Sequence, residues 1–504
     1  MKNKNYMKIS QEIKITFLTT IFIGIIAHLY MYTNRIVNHD AVFSVAFSGS
    51  TYTNGRWLLE LMSKVAYLFN GNYVTPWGIG AITLILYAIA ACLLVKTFNM
   101  KNKYICGCLG AIVVVYPTVT ANNLYIFTAH YYAFAFLLVT LATYLISRYN
   151  YTMKNIMVVI ILIVCSLGIY QGYFPFFVTE IMVFLLLKFT NKKKADLKDI
   201  AKNVMFLLGI ICSGMIIYLI INKMFLKISH TQLDAYLGMN DMGKLNIFQI
   251  PQMVIKSYKG FIGIFLKDQW GINNTFWLKL VFITCIIFIL WYCFSHIIKD
   301  EVVIKIGVIL FCILFPLGVN LIYIMCQVEK GINTMTVYST IWILLLPLII
   351  IDQHIDKLYI ERIVVLISCI VVAYYSTLAN QTYVGLEYSN KNVEAYFIQL
   401  ATRIKMLDGY SEKLPVAFVG KIKDESIPDI PYDYSVRGNF KTSDLINTYS
   451  REYFMKMSCG YNIQLVKDTK KIKQKEEFVK MSTYPNKNGI KIIDNIIVVK
   501  FSNK

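Results

Sequence analysis

The stretch NIMVVIILIVCSLGIYQGYFPFFVTEIMVFLLLK (residues 155–188) decides the fold class of this chain. A helix needs about 20 apolar residues to cross the roughly 30 Å of hydrocarbon in a bilayer. The stretch is therefore too long for one membrane span and leaves almost no loop for two. Gly168, Gln171, Gly172 and Pro175 interrupt it, which predicts a tight outward hairpin or a broken helix. Irregular backbone at that depth needs protein or water to satisfy its polar groups, so we expect a polar cavity to begin near Gln171.

Apolar windows of spanning length recur from residue 15 to residue 379, which favours a polytopic membrane protein. Hydrophobic residues make up 57% of the 504-residue chain, charged residues make up 16%, and the mean hydropathy is +0.54. The pattern predicts a mainly α-helical bundle of about eleven transmembrane helices. The predicted spans are residues 15–32, 77–98, 105–121, 129–147, 155–170, 172–189, 203–222, 275–298, 305–326, 337–351 and 362–379.

The formal charge of +21 does not indicate a nucleic-acid partner, because the lysines gather in short loops between spans and in the C-terminal part. Loops 99–104, 148–154 and 188–202 are basic, whereas loop 122–128 has no Lys or Arg. The positive-inside rule then predicts a cytoplasmic N-terminus, a retained first span and, with an odd number of spans, an extracytoplasmic C-terminus. Only Cys459 lies away from the apolar spans, so we expect neither a disulfide framework nor a zinc site.

The parts of the chain outside the spans also have predicted structure. Segments 33–76 and 223–274 are long and face outward, and within them residues 57–69 and 250–265 predict helices that lie in the membrane interface. After residue 379 the pattern predicts an amphipathic helix (387–408) and three strands (415–420, 462–466 and 489–501). We therefore divide the chain into a transmembrane domain (1–379) and a small extracytoplasmic α/β domain (380–504).

Two motifs in the first outward segment could carry chemistry. In residues 38–40 (Asn-His-Asp), the Asp40 carboxylate could take a proton from a sugar hydroxyl. The alternative is a solvated loop aspartate. In residues 55–57 (Gly-Arg-Trp), the Arg56 guanidinium suits phosphate oxygens and Trp57 could stack on a sugar face. The alternative is ordinary anchoring at the membrane interface.

Further candidates lie in and after the interrupted stretch. Tyr170 and Gln171 combine hydrogen-bonding side chains with neighbouring glycines, although a packing break between two helices would explain them as well. Glu180 is a carboxylate within a span, where such residues usually face the bundle interior or a water-filled cavity; pairing in the interior without catalysis is the alternative. His130 and His230 have no metal-ligand spacing. Weaker candidates on the outward side are Asp268, Trp270, Glu329, Lys330 and Glu387.

The order of these parts resembles the bacterial Gtr-type membrane glucosyltransferases, the type-two branch whose members decorate O-antigen and other surface glycans. The resemblance covers most of the chain, but its motifs are short. The residues that carry it are Asn38-His39-Asp40, Gly55-Arg56-Trp57, Ser166-Leu167-Gly168-Ile169-Tyr170-Gln171-Gly172-Tyr173, and the helix 395–403 ahead of the small C-terminal domain.

That resemblance implies a GT-C architecture, in which a polyprenyl-phosphate sugar on the outer leaflet donates its hexose to a surface glycan or teichoic acid. The expected hexose is glucose. It assigns the role of base to Asp40 and the contact with the donor phosphate to Arg56. The other residues expected around the donor are His39, Trp57, Tyr170 and Gln171. Family members often carry two adjacent acidic residues where this chain has one, so Glu60 or Glu180 could supply the second carboxylate. The supporting candidates are Asn38, Glu60, Glu180 and Lys330.

The same resemblance implies no cofactor and no metal ion, and a hydroxyl activated at Asp40 would invert the anomeric centre. The expected location is the bacterial plasma membrane, with membrane lipid, the lipid-linked donor, the acceptor and a flippase as partners. A lipid-linked oligosaccharide flippase or another transporter is the alternative, because transporters share the many spans and broken helices. A noncatalytic scaffold or a polysaccharide polymerase is a third class. The long outward loops and the absence of an inverted repeat argue against a transporter.

Overall fold

Long apolar helices form most of this protein, as the hydropathy pattern predicts. The computed structural model describes residues 9–40, 52–71, 73–148, 152–191, 197–234, 247–267, 271–326, 332–355, 357–422, 427, 445–446 and 450–502. The helices of the membrane part are α1 (Gln11–Thr33), α2 (Trp57–Asn70), α3 (Pro76–Thr97), α4 (Lys103–Val115), α5 (Pro117–Asn123), α6 (Ile126–Arg148), α7 (Met153–Ile169), α8 (Phe174–Thr190), α9 (Leu197–Ile228), α10 (Ile250–Leu266), α11 (Phe276–Lys299), α12 (Val302–Val319), α13 (Ile322–Met325), α14 (Trp342–His354) and α15 (Leu358–Lys405).

The predicted spans coincide with helices, but not all of these helices are of spanning length. Within the described residues, eight are long and apolar enough to cross a membrane, and α4 with α5 makes a ninth if this bent pair is one span. The remaining two predicted spans fall on shorter apolar helices, Met153–Ile169 and Tyr338–His354. The polytopic membrane fold is thus confirmed, while the count of about eleven spans stays a prediction.

The helices divide into a central and an outer set. In α14 every residue from Trp342 to Ile351 is buried, and α4 is buried from Ile105 to Val115. By contrast, only 22% of the apolar window is buried in α9 and in α11. A helix that is hydrophobic all round belongs in the interior or faces lipid, so α4 and α14 form the centre and the apolar surfaces of α9 and α11 fit a lipid environment.

The predicted span 105–121 is broken. Helices α4 and α5 meet at an angle of 41°, and Pro117 is the first residue of α5. Proline lacks a backbone N–H and disfavours helical backbone in the residue before it, and Tyr116 accordingly has φ −55° and ψ 138°. All seven residues of α5 are buried, so the polar side chains of this short helix lie inside the bundle.

The interrupted stretch, residues 155–188, forms a tight hairpin, the first of the two predicted arrangements. Helix α7 ends at Ile169, one 3₁₀ turn covers Gln171–Tyr173, and α8 begins at Phe174. All three residues of that turn are buried. We call this end of the bundle, where α1 ends and where α6 and α8 begin, the site end. The opposite end is where α3, α6, α8 and α14 finish.

The two helices predicted in the outward segments are present. In α2, Leu59 is buried whereas Leu68 and Phe69 are 79% and 83% exposed, so the far end of the helix presents apolar side chains on the outside. Helix α10 buries one face through Met253, Phe261 and Ile264. Both helices are amphipathic, as expected for the membrane interface.

The C-terminal part differs from its prediction in three respects. The predicted span 362–379 and helix 387–408 are one continuous helix of 48 residues, α15, so the proposed domain boundary at residue 379 falls inside a helix. Residues 462–466 form a single bridge, between Val416 and Leu465, instead of a strand. The predicted strand 489–501 is a hairpin, because Asp494 and Asn495 adopt φ values of +48° and +59°, as in the two-residue turns that reverse a chain tightly.

The observed sheet has three strands, with β1 (Val416–Val419) parallel to β3 (Ile496–Lys500) and β2 (Ile490–Ile493) antiparallel to it. Helices α16 (Ser450–Cys459), α17 (Lys470–Lys473) and α18 (Glu476–Val479) accompany it. Phe454 stacks on Phe397 with 5.6 Å between ring centroids, and the Arg403 guanidinium donates to the Pro485 carbonyl. These contacts attach the sheet region to the last turns of α15.

Candidate functional site

Asp40 is held in place by the residue two positions before it. The Asn38 side chain is fully buried, and its Nδ2 donates to the Leu124 carbonyl oxygen at 2.8 Å. Its Oδ1 accepts from the Asp40 backbone N–H at 2.9 Å, which is a local turn that asparagine favours. His39 Nε2 lies 3.5 Å from Asp40 Oδ1, and the Asp40 side chain is 37% exposed. The carboxylate is therefore fixed at the site end and open on one side.

Helix α15 supports the same loop from another direction. Asn390 Nδ2 donates to the Val37 carbonyl oxygen at 2.8 Å. The Tyr30 hydroxyl donates to the Glu387 carboxylate, which also forms an ion pair with Lys391 at 2.9 Å. Glu387, a weak candidate from sequence, thus belongs to the support of the loop that carries Asp40.

Arg56 lies beside a pair of stacked tyrosines. Its Nη1 donates to the Tyr132 hydroxyl at 2.8 Å, and its guanidinium carbon lies 5.6 Å from the ring centroid of Tyr132 and 5.2 Å from that of Tyr170. The two rings stack with 4.2 Å between centroids. The Nε atom is buried, and no described residue accepts a hydrogen bond from it. Because a buried donor without an acceptor is costly, this N–H is available to a ligand that can accept a hydrogen bond.

The turn before Arg56 is shaped by Gly55 and Gln171. Gly55 has φ +70°, and a Cβ there would lie 2.7 Å from the Tyr218 hydroxyl and 3.0 Å from Gln171 Nε2. Gln171 Nε2 donates to the Asn54 carbonyl at 3.1 Å and to the Tyr218 hydroxyl at 2.9 Å, and that hydroxyl donates to the Gly55 carbonyl at 3.0 Å. Gln171 therefore holds this turn, and its predicted contact with the donor stays a prediction.

Trp57 lies within the helix packing. Its side chain is 8% exposed and stacks on Phe225 with 5.3 Å between ring centroids. Gly168 admits the indole, since a Cβ at that position would lie 2.6 Å from Trp57 Cε2. The structure therefore gives Trp57 a positioning role beside Arg56, and stacking on a sugar stays a prediction.

A cluster of buried polar side chains connects the two motifs, and it was hard to predict from the sequence. Tyr170, the neighbour of Arg56, contacts Tyr173 with 5.4 Å between ring centroids. The Tyr173 hydroxyl accepts from Asn122 Nδ2 at 3.0 Å, and Asn122 lies two residues before Leu124, the partner of Asn38. The buried atoms of this cluster without a hydrogen bond among the described residues are Tyr32 Oη, Thr120 Oγ1, Asn122 Oδ1, Asn123 Oδ1 and Asn123 Nδ2. The run Thr-Ala-Asn-Asn at 120–123 is the one sequence signal that could have revealed it.

Asp40 and Arg56 are thus brought to one end of the bundle and to neighbouring points on it. The loop with Asp40 is held at Leu124 and beside Tyr125, with which His39 makes an edge-to-face contact. Arg56 is held at Tyr132, in the second turn of α6. Tyr132 lies six residues after Ile126, the first residue of α6, which directly follows Tyr125. Six residues of helix rise about 9 Å, so Arg56 is anchored about that far along α6 from its first residue.

The remaining candidates lie apart from this pair. Glu180 is fully buried in α8, and neither carboxyl oxygen has a hydrogen-bond partner by distance and angle among the described residues; Thr143 is its polar neighbour. Glu60 is 16% exposed and lies 3.7 Å from Lys64 Nζ. The other outward candidates, Asp268, Trp270, Glu329 and Lys330, lie outside the described residues. Among the described residues, no group of three His, Cys, Asp or Glu side chains could hold a metal ion.

Comparison with known proteins agrees with this arrangement of motifs. The family model described as Glucosyl transferase GtrII matches residues 29–346, which is 318 of the 504 residues and includes both motifs, α5 and Glu180. No curated protein and no solved structure matched the chain. A glucosyltransferase match favours transfer of a sugar over the transporter hypothesis. The chain therefore belongs to the GtrII family of glucosyl transferases and is a membrane enzyme that transfers glucose.

Proposed function

We propose that this glucosyltransferase takes its hexose from a polyprenyl-phosphate donor and transfers it, with inversion, to a cell-surface glycan or teichoic acid outside the membrane. The observation that carries the proposal is the state of Arg56. Its guanidinium lies against the stacked rings of Tyr132 and Tyr170, and its buried Nε has no acceptor among the described residues. A phosphate oxygen is the acceptor that a guanidinium fork fits best.

The proposed reaction uses the two motifs in complementary roles. An acceptor hydroxyl oxygen attacks the anomeric carbon and gives its proton to the Asp40 carboxylate. The bond between that carbon and the phosphate oxygen breaks on the opposite face, so the configuration inverts and polyprenyl phosphate leaves. Arg56 stabilises the negative charge that grows on the leaving phosphate, a kind of contribution worth about 10²–10³ in rate when one such donor is removed.

The surroundings of the motifs suit a donor that is itself a lipid. Helix α2 follows Arg56 directly, and its far end exposes Leu68 and Phe69. An amphipathic helix of this kind lies at the boundary of headgroups and acyl chains, where a polyprenyl chain could remain in the membrane while its phosphate reaches Arg56. The buried hydroxyl and amide groups around Asn122 and Asn123 lie next to this point and could hydrogen bond to a neutral sugar.

The location follows from the charge pattern of the loops. We infer a bacterial plasma membrane protein with a cytoplasmic N-terminus, so that the site end and the sheet region after α15 lie outside the cell. Nucleotide sugars are not supplied on that side, which is why a lipid-linked donor and a flippase that delivers it are the expected partners. No cofactor or metal ion is proposed, since Arg56 supplies the positive charge.

The donor and the base can be tested together in membrane vesicles that contain the full chain. We expect transfer of labelled glucose from polyprenyl-phosphate glucose, and none from a nucleotide sugar when the lipid-linked donor is absent. Asp40→Asn should lower the rate by about 10²–10⁴, the usual contribution of a general base. Asp300→Asn is the matched control, because Asp300 also contacts a histidine, His296 Nδ1 at 2.6 Å, but lies at the opposite end.

Two results would contradict the proposal in different ways. Full activity of Asp40→Asn would remove the proposed base and leave the donor assignment intact. Direct use of a nucleotide sugar would remove the donor. In whole cells, loss of one side-branch hexose after deletion supports transfer, whereas loss of the entire polymer would favour a polymerase or flippase.

A further inference from the structure

A cavity lies at the opposite end of the bundle from Asp40 and Arg56. Its volume is about 420 Å³, and the last residues of α3, α6, α8 and α14 line it. At about 1.5 Å per helical residue, Ser147 in its wall lies roughly 22 Å from Tyr132, the partner of Arg56. Cavities of this volume are large enough for a small ligand or a lipid headgroup.

Two cations line this cavity. Arg148 and Lys188 are among its described lining residues, and none of those residues is Asp or Glu. Two acids of the described helices that lie near these residues in sequence are engaged or lie elsewhere. Asp352 accepts hydrogen bonds from the backbone N–H groups of Lys101 and Asn102, and Glu180 lies one helical turn before Phe184, deeper in α8. The described lining of the cavity therefore carries a net positive charge.

The Arg148 guanidinium is fixed by the protein but keeps donors for a ligand. Its Nη2 donates to the Lys96 carbonyl and to Asn99 Oδ1, both at 2.6 Å. An arginine has five N–H donors, so Nε and Nη1 remain after these two bonds. Lys188 is likewise positioned, with its Nζ donating to Asn203 Oδ1 at 3.2 Å.

The neutral lining residues also favour an oxyanion. Thr97 is 3% exposed, and its hydroxyl has no hydrogen-bond partner among the described residues. Gln353 Nε2 donates to the Phe98 carbonyl at 2.6 Å, which secures the wall from α14. A hydroxyl donor beside two cations is the arrangement that phosphate-binding sites commonly use.

We propose that this cavity binds the phosphate group of an anionic membrane lipid whose headgroup lies on the side of the membrane away from the transfer site. Basic pockets between transmembrane helices, at the level of the headgroups, suit such lipids. This cavity lies where four helices of the bundle end, beside apolar surfaces that face lipid. Free inorganic phosphate offers the same chemistry without the acyl chains, so the experiment separates the two sources.

Lipid binding to the purified full chain in a neutral detergent tests the proposal. Phosphatidylglycerol, phosphatidylcholine and inorganic phosphate are each titrated, and retained ligand is counted by native mass spectrometry. We expect saturable binding of phosphatidylglycerol, at least fivefold weaker binding of phosphatidylcholine, and no displacement by equimolar inorganic phosphate. Removing one cation near an anionic headgroup should weaken binding by about fivefold, so Arg148→Gln and Lys188→Gln should each do so.

Lys299→Gln is the matched control, since it removes one positive charge from the same end of the bundle, at the exposed last residue of α11, and should change affinity less than twofold. Arg148→Lys keeps the charge and serves if Arg148→Gln does not fold.

Equal binding of all three lipid and phosphate probes, or equal losses in Lys299→Gln and Lys188→Gln, would overturn the proposal. Full displacement by inorganic phosphate would replace the lipid with a soluble anion. Because glucose transfer is not measured, none of these results depends on the proposed donor or base.

Discussion

Replacing Gly168 with alanine should impair glucose transfer although no residue of either motif is changed. A Cβ at this position would lie 2.6 Å from Trp57 Cε2, while ordinary contact begins at 3.4 Å. The indole must therefore move by about 0.8 Å, and Arg56 is the preceding residue. Overpacking of this kind costs about 1–3 kcal/mol of stability, and a displacement of about 1 Å at a catalytic group can cost roughly 10² in rate. We expect the rate per folded enzyme to fall by about that factor.

The assay measures transfer of labelled glucose from polyprenyl-phosphate glucose in vesicles, divided by the amount of enzyme that elutes as a single species in size-exclusion chromatography. Gly209→Ala is the matched control, because no atom lies within 4 Å of a Cβ there, and it should retain full activity. Adding Trp57→Phe to Gly168→Ala removes the crowded indole atoms. The transfer rate of the double variant should be at least tenfold higher than that of Gly168→Ala. Wild-type activity in Gly168→Ala, or no recovery in the double variant, would refute the link between this contact and Arg56.

Three further predictions follow from single contacts. Tyr132→Phe removes the hydroxyl that accepts from Arg56. Because such a bond to a charged group contributes about 1.5–3 kcal/mol, the free energy of unfolding should fall by up to that amount, and the transfer rate per folded enzyme should fall about tenfold because Arg56 is no longer held in place. Asn38→Ala leaves the Leu124 carbonyl without its donor and should lower the free energy of unfolding by about 1–3 kcal/mol, measured by thermal unfolding in detergent, with a matching loss of transfer. Asn495→Gly relieves a positive φ in the hairpin turn and should stabilise the sheet region by about 0.5–1 kcal/mol. The measurement is the rate of proteolysis after α15, which should fall, and faster proteolysis would contradict the prediction.

The sequence was sufficient for features that depend on local composition. Spanning helices follow from the length of apolar windows, and the hairpin between α7 and α8 follows from Gly172 and Pro175 within an apolar stretch. Pairing of the motif at 38–40 with the motif at 55–57 also followed from their common place in the first outward segment. These are properties of a short segment and the solvent around it, so no distant residue is needed to infer them.

What could not be predicted depends on contacts between distant segments. The polar cluster joins side chains of α1, α5 and the turn before α8, and only contacts between these segments bring the side chains together. The role of Gln171 in holding the turn at Gly55 could not be predicted, because it requires Tyr218 of α9. The hairpin at Asp494 was hidden, since asparagine and aspartate without a glycine give a weaker turn signal than Asn-Gly.

The unbroken course of α15 has a mechanical consequence for the part of the chain that follows it. At about 1.5 Å per residue the helix is roughly 72 Å long, more than twice the hydrocarbon thickness. Because each residue turns a helix by about 100°, inserting one residue after Asn390 would swing the sheet region about that far around the helix axis. Inserting seven would raise it by about 10 Å and nearly preserve its azimuth. The number of residues in α15 therefore sets the direction in which the sheet region faces around the helix axis.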